Sequence, residues 1–222
     1  MRAAVVTFPG ANRDRDLVRA FKDTGFAEVH LVWHEATELP PVDVVGIPGG
    51  FSYGDYLRCG AIAARSPAMR AVADFARAGG HVLGVCNGFQ ILCEAGMLPG
   101  ALVRNVGLRF ICHPCALSVE RAGTPFTAGL SQGDQLLVST AHGDGNYTAD
   151  EATLDRLEGE GRVVFRYVDN PNGSLRNIAG ITDASGRVLG MMPHPECHVD
   201  PRTGHTGGRA IFQSLLETVT RG

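Results

Sequence analysis

The chain has 222 residues, 44% of them hydrophobic and 19% charged, and a formal net charge of −3 at pH 7. These figures suit one well-buried α/β domain spanning 1–222 and speak against a nucleic-acid or membrane partner, which a basic balance would favour. Six irregularly spaced cysteines make no disulfide framework, no run has the length of a membrane span, and the apolar run to Pro9 is too short for a secretion signal, so a cytoplasmic setting is expected.

Residues 2–8 are apolar with a β-branched centre and predict a first strand, ended by Pro9-Gly10. Asn12 is placed to cap a helix with Asp14 and Asp16 in its first turn, and Leu17, Val18 and Phe21 carry its apolar face towards Gly25. Strands follow at 29–33 and 42–48. This strand–helix–strand rhythm predicts an α/β fold with a doubly wound, mostly parallel sheet flanked by helices. Gly49-Gly50-Phe51-Ser52-Tyr53-Gly54-Asp55 then reads as a glycine-rich loop at a strand's carboxyl end. Helical stretches are expected near 55–65 and over 67–78, the second begun by Ser66-Pro67 and stopped by Gly79-Gly80.

The next strand runs from His81 to Cys86 and turns at once into a helix over 87–95, closed by Gly96. Gly84 and Gly88 flank Cys86 in a G-x-C-x-G pattern, the cysteine version of a nucleophile elbow. A residue at the point of a tight strand-to-helix turn sits in strained backbone, so its neighbours must be small. In return its side chain is lifted from the sheet edge among the first N–H groups of a helix, which favour a thiolate and an oxyanion. Cys86 is therefore a candidate nucleophile.

Beyond residue 100 the pattern changes to strand-like runs at 102–105, 109–119 and 135–139, expected as a mixed or antiparallel extension of the sheet. A short helix at 151–158, a strand at 163–168 and a turn cluster at 170–174 follow. Runs at 178–182 and 188–192 form a hairpin, and a helix over 207–219 ends the pattern.

A nucleophilic cysteine needs a base, and the second hairpin strand runs directly into Pro193-His194-Pro195-Glu196. The prolines hold His194 out of regular structure, and Glu196, two residues on, points the same way in extended chain and can fix the imidazole tautomer. The backbone N–H of Asn87 is one oxyanion donor, and the Gly50-Phe51 backbone is a candidate for the second. Cys112-His113-Pro114-Cys115 invites a metal or redox reading, but no second ligand pair is present and the stretch reads as a strand, so no metal is expected. Ala141-His142-Gly143-Asp144-Gly145-Asn146 reads as a glycine-rich turn that lines the site or faces a partner; His198 and His205 read as loop residues without chemistry. At this level a peptidase-like cysteine hydrolase and a silent assembly module both remain open.

Three stretches, G-V-C-N-G-F-Q at 84–90, P-G-G-F-S-Y-G-D at 48–55 and P-H-P-E at 193–196, together resemble class I (triad) glutamine amidotransferases. F-P-G-A-N-R-D-R-D at 8–16 and A-H-G-D-G-N at 141–146 resemble one branch, the small separate glutaminase subunits of purine synthesis, along nearly the whole chain. The resemblance implies a flavodoxin-like core in which Cys86 attacks the carboxamide of glutamine, His194 moves the proton, and Gln90 and His142 contact the substrate. It also implies a large synthetase subunit, using ATP and magnesium to convert formylglycinamide ribonucleotide to its amidine, and a small third subunit. This chain has no G-x-x-x-x-G-K-[ST] loop and is expected to carry no cofactor. It departs from the pattern at Cys197, where a basic residue is expected, and at Arg13, where relatives often have a small one.

Overall fold

The computed structural model describes residues 1–221. The strands are β1 (Arg2–Thr7), β2 (Glu28–Trp33), β3 (Val44–Ile47), β4 (His81–Val85), β5 (Ala101–Val103), β6 (Ile111–Val119), β7 (Gln135–His142), β8 (Asn146–Thr148), β9 (Val163–Tyr167), β10 (Ile178–Thr182) and β11 (Val188–Met191). The helices are α1 (Asp14–Thr24), α2 (Pro67–Arg77), α3 (Asn87–Glu94), α4 (Glu151–Gly159) and α5 (Arg209–Arg221).

Nine strands form one sheet in the order β2-β1-β3-β4-β11-β10-β9-β6-β7. The first five are parallel to their neighbours and the rest antiparallel, so the sheet has a doubly wound half and a meandering half. Every residue of β3 and β11, and of β4 after His81, is buried, as expected where helices cover both faces of a parallel sheet. α1 packs on α5 through edge-on Phe21 and Phe212 rings, 5.4 Å between centroids. α3 lies against β3, β4 and β11. In an open sheet of this kind the crevice lies at the carboxyl ends of the strands, where the order reverses. Here β1 and β3 end in adjoining loops, joined by an antiparallel bridge between Ala11 and Gly50.

Four local expectations are corrected. The stretch 55–65 is not an α-helix: Asp55 and Leu57 take left-handed φ of 56° and 69°, and beyond the 3-10 turn that ends at Asp55 only one more forms, at Ala63–Arg65. Its course is fixed by packing, since a Cβ on Gly60 would lie 2.8 Å from the backbone N of Ile91. Asn12 does not cap α1. Arg13 holds that position without a side-chain cap, and the N–H groups of Asn12 and Arg13 donate to the Gly49 carbonyl, at 3.4 and 3.2 Å. The run near 102–105 is not part of the main sheet, because β5 pairs with β8 in a ribbon of its own. Finally, β7 extends through His142, which places that residue on a strand rather than in a turn. Pro114 is accommodated within β6 because only the 117–119 end of that strand pairs with β9.

Candidate active site

β4 and β11 are parallel neighbours in register, Val85 beside Met191, and the Cys86 N–H donates to the Met191 carbonyl at 2.8 Å. Both strands therefore end together. The residue that follows one is Cys86, and the residues that follow the other lead within three positions to His194. Cys86 takes φ 52° and ψ −107°, a conformation costing on the order of 1–3 kcal/mol for a residue with a side chain. Close packing enforces it: a Cβ on Gly88 would lie 2.1 Å from the Ile47 carbonyl oxygen, and one on Gly84 would lie 2.8 Å from that of Gly88. The Cys86 thiol is directed at the Ala141 carbonyl, 3.8 Å away.

The His194 N–H donates to the Ser139 carbonyl at 2.8 Å, which pins the base to the edge strand β7. Its Nδ1 lies 2.7 Å from Glu196 Oε1, and both side chains are buried. Nε2 has no hydrogen-bond partner among the described residues and is free to face the thiol. Gly49 makes this meeting possible, since a Cβ there would fall 2.7 Å from His194 Cε1 and 3.4 Å from Cys86 Cβ. Burial, the strongest influence on His194, disfavours its charged form. The Glu196 carboxylate, and after it Cys86, outweigh that and hold the imidazole well above its usual range.

The two glycine-loop donors are not equivalent. The Phe51 N–H is already committed to the Gly10 carbonyl at 3.0 Å, so Phe51 is corrected as an oxyanion donor: using it would break a loop contact. The Gly50 N–H makes no hydrogen bond among the described residues and remains available beside that of Asn87. The Asn87 side chain has a task that sequence reasoning missed. Its Oδ1 accepts the Ser52 N–H at 3.1 Å and its Nδ2 donates to Gln90 Oε1 at 2.8 Å, tying the glycine loop to the elbow.

A cavity of about 520 Å³ opens over Cys86, lined by Gln90, His142, Gly50, Phe51, Asp55 and Asp144 among others. Gln90 Nε2 donates to the Asp144 carbonyl at 2.7 Å, so its amide bridges the elbow helix and the opposite wall. The His142 ring points into that wall, with Nδ1 3.2 Å from Asn105 Oδ1 and Nε2 3.4 Å from Asn172 Nδ2. Burial first, and the charge of His194 second, lower its pKa to about 4, so the ring is neutral near pH 7. Asn105 also donates to the carbonyls of His142 and Arg109 at 3.0 and 2.9 Å, and Asn172 to that of Gly145 at 2.8 Å. These asparagines build the wall and went unnoticed in the sequence. The signal was present in the 170–174 cluster, which reads as an ordinary turn.

His194, Glu196 and Cys197 form the one group among the described residues with metal-ligating atoms within 4.8 Å of each other, and two of its members are the hydrogen-bonded pair above. Burial, then Glu196, pushes the Cys197 thiol up to about 12, and burial pushes that of Cys115 to the same level, so neither is a ready thiolate ligand. Cys112 is exposed and Cys115 buried, which suits opposite faces of β6 and not a chelating pair. His198 differs from expectation: it is buried, with Nε2 2.7 Å from Ser139 Oγ, bracing the residue whose carbonyl holds His194.

A buried thiol on a strained elbow, an imidazole backed by a carboxylate and two free N–H groups are the parts needed for acyl transfer through a thioester. Comparisons with known proteins agree with this chemistry. Residues 1–206 match the CobB/CobQ-like glutamine amidotransferase domain. The chain is 61% identical over 216 residues to phosphoribosylformylglycinamidine synthase subunit PurQ of Jannaschia sp. (strain CCS1), covering 97% of each. It superposes on a chain of the PurLQS structure from Thermotoga maritima with a TM-score of 0.90 at 42% identity, covering 98% of each chain. A glutamine amidotransferase of Thermotoga maritima at 16% identity, with a TM-score of 0.65 over 100% of this chain and 99% of that one, shares the fold alone. The chain belongs to the CobB/CobQ-like glutamine amidotransferase domain family.

Proposed function

We propose that this chain is the glutaminase subunit of a phosphoribosylformylglycinamidine synthase. In this reading it hydrolyses L-glutamine and passes the ammonia to a large synthetase subunit, which converts formylglycinamide ribonucleotide to the amidine in purine synthesis. The supporting relatives are 56–61% identical over nearly the full length of both chains and carry that subunit's name. ATP and magnesium belong to the synthetase subunit, and a small third subunit completes the complex. We place the complex in the cytoplasm, where the thiol that the reaction needs stays reduced. No helix among the described residues is long and apolar enough to cross a membrane.

The observation that carries the mechanism is the alignment of Cys86, His194 and Glu196 at the ends of adjacent strands. His194 Nε2 holds the proton taken from the thiol while Cys86 Sγ attacks the carboxamide carbon, and the oxyanion forms against the N–H groups of Asn87 and Gly50. The imidazolium, stabilised by Glu196, returns that proton to the nitrogen as the C–N bond breaks and ammonia leaves. Water, deprotonated by His194, then attacks the glutamyl thioester; glutamate departs and the thiol is restored. Replacement of Cys86 by Ala tests the reading. Glutamine hydrolysis is expected to fall by at least about 10⁴-fold, while ammonia-dependent synthesis by the reconstituted complex continues. Retention of glutaminase activity in Cys86→Ala would place the nucleophile elsewhere.

A further inference from the structure

A second cleft, of about 200 Å³, lies on the Glu196 side of the triad and shares no lining residue with the cavity over Cys86. Arg13, Asp16, Glu196 and Cys197 are among its walls, brought together because α1 packs on the turn Pro195–His198. The Arg13 stem runs beside the reacting groups. A Cβ on Gly49 would lie 3.4 Å from Arg13 Cγ, the same distance from Cys86 Cβ, and 2.7 Å from His194 Cε1. The guanidinium is half-buried and donates to Asp16 Oδ2 at 3.0 Å. Glu196 is the costly member of this wall. One of its carboxylate oxygens serves His194, while the other, Oε2, is buried without a hydrogen bond among the described residues. A carboxylate so placed is destabilising unless a cation stands near it. Arg13 is such a cation. Its pKa is raised by the Asp16 hydrogen bond first, with burial opposing and the Glu196 carboxylate among the charges that add to the rise.

We propose that Arg13 is a positioning residue of the glutaminase site, whose guanidinium balances the Glu196 carboxylate and keeps it aligned on His194. The inference rests on the function proposed above. The reaction itself makes such a cation useful. His194 is an imidazolium while Cys86 attacks, and the charge of Glu196 is then matched across their 2.7 Å contact. Once that proton has gone to the departing nitrogen, the ring is neutral and Glu196 keeps a buried charge without a counter-ion on that side. Arg13 carries a charge that no step removes. It offsets the carboxylate until His194 takes a proton from water in thioester hydrolysis. Arg13 does not line the cavity over Cys86, so it acts through Glu196 and not on the substrate.

Glutamine hydrolysis by the full chain in the reconstituted complex is the test. Arg13→Gln keeps the stem beside Gly49 and removes the charge. Its kcat is expected to fall about tenfold, with KM within about twofold and the melting temperature within about 2 °C of wild type. Arg13→Lys restores the charge and is expected to keep at least about half of the wild-type kcat. Two controls separate this role from a structural one. Asp16→Asn breaks the same ion pair in the first turn of α1 but leaves the cation in place, and kcat is expected to be unchanged or higher. In a Glu196→Gln background the added Arg13→Gln is expected to cost less than about twofold, because the charge it balances is already gone. A wild-type kcat in Arg13→Gln overturns the proposal. So do an equal loss in Asp16→Asn, a Lys variant as slow as the Gln variant, or an undiminished loss in the Glu196→Gln background. A wild-type chain without glutaminase activity sinks instead the function on which the proposal rests.

Discussion

The two halves of the sheet hold the site by different physics. In the parallel half, β3, β4 and β11 are buried apolar strands, and position is enforced by excluded volume. Glycines at 49, 84 and 88 leave no room for a methyl group, so the elbow and its base meet in one arrangement. In the antiparallel half the cavity wall is held by hydrogen bonds, with Asn105, His142 and Asn172 joining β7 to its neighbouring loops. Packing of the first kind tolerates almost no change, whereas a hydrogen-bonded wall loses stability stepwise and responds to pH. The reacting atoms sit on the rigid half and the pocket's shape depends on the yielding one.

The sharpest way to break this contrast is to add one methyl group on the parallel side. Gly88→Ala sets a Cβ 2.1 Å from the Ile47 carbonyl oxygen, where backbone must move. A loss of about 4 kcal/mol or more is expected in denaturant melts, with little soluble protein. A melt within about 1 kcal/mol of wild type would mean that the elbow yields and that excluded volume is not what holds it. Glu196→Gln probes the same half without altering volume. An amide cannot stabilise the imidazolium or enforce its tautomer, so kcat is expected to fall about 10²–10⁴-fold with the fold intact. Less than a threefold change would remove Glu196 from the mechanism.

How much of this was legible in the sequence divides along the same line. Cys86 stood out because its two glycines are close in the chain and encode a steric need, and His194 with Glu196 because prolines flank them. The sequence does not reveal that β11 lies beside β4, a pairing between strands roughly a hundred residues apart, and the triad exists only through that neighbour. The polar wall was harder still. Asn105, Asn172 and His198 act through partners distant in the chain, and a lone asparagine after a strand looks the same whether it is solvated or buried. The helix expected near 55–65 failed because Gly60 against Ile91 and left-handed Asp55 and Leu57 override local propensity. Phe51 beside Gly50 reads as a donor in sequence, but its N–H is spent on the Gly10 carbonyl, a contact between two separate loops.

Smaller effects are expected on the antiparallel side. Asn172→Ala removes the shorter of two donors to the Gly145 carbonyl, leaving Ser174 Oγ at 3.2 Å, and takes away the Oδ1 that accepts the Ser174 N–H at 3.0 Å, which predicts a loss of about 1–3 kcal/mol by chemical denaturation with the elbow unaltered. A larger drop in glutaminase activity than in stability would show that the wall also positions substrate. His142 supplies the pH test. Its pKa is lowered from 6.5 to about 4 in the folded chain, mainly by burial, so below 6.5 the unfolded chain takes up a proton that the native one refuses. Stability therefore falls as pH drops from about 6.5 towards 4, by about 3 kcal/mol in total from this group, and is level below that. His142→Gln should flatten this part of the stability–pH curve whatever its starting stability. An unchanged slope would mean that His142 is not held neutral by its wall.

The proposed glutaminase chemistry assigns the reacting thiol to Cys86 alone, on its strained turn beside His194. Intact-protein and peptide mass spectrometry after treatment with 6-diazo-5-oxo-norleucine, a glutamine-shaped electrophile, tests it most directly. One adduct is expected, on Cys86, blocked by excess glutamine and absent from His194→Ala. Labelling of Cys59 or Cys112 in its place, or no labelling while glutamine hydrolysis proceeds, would contradict it.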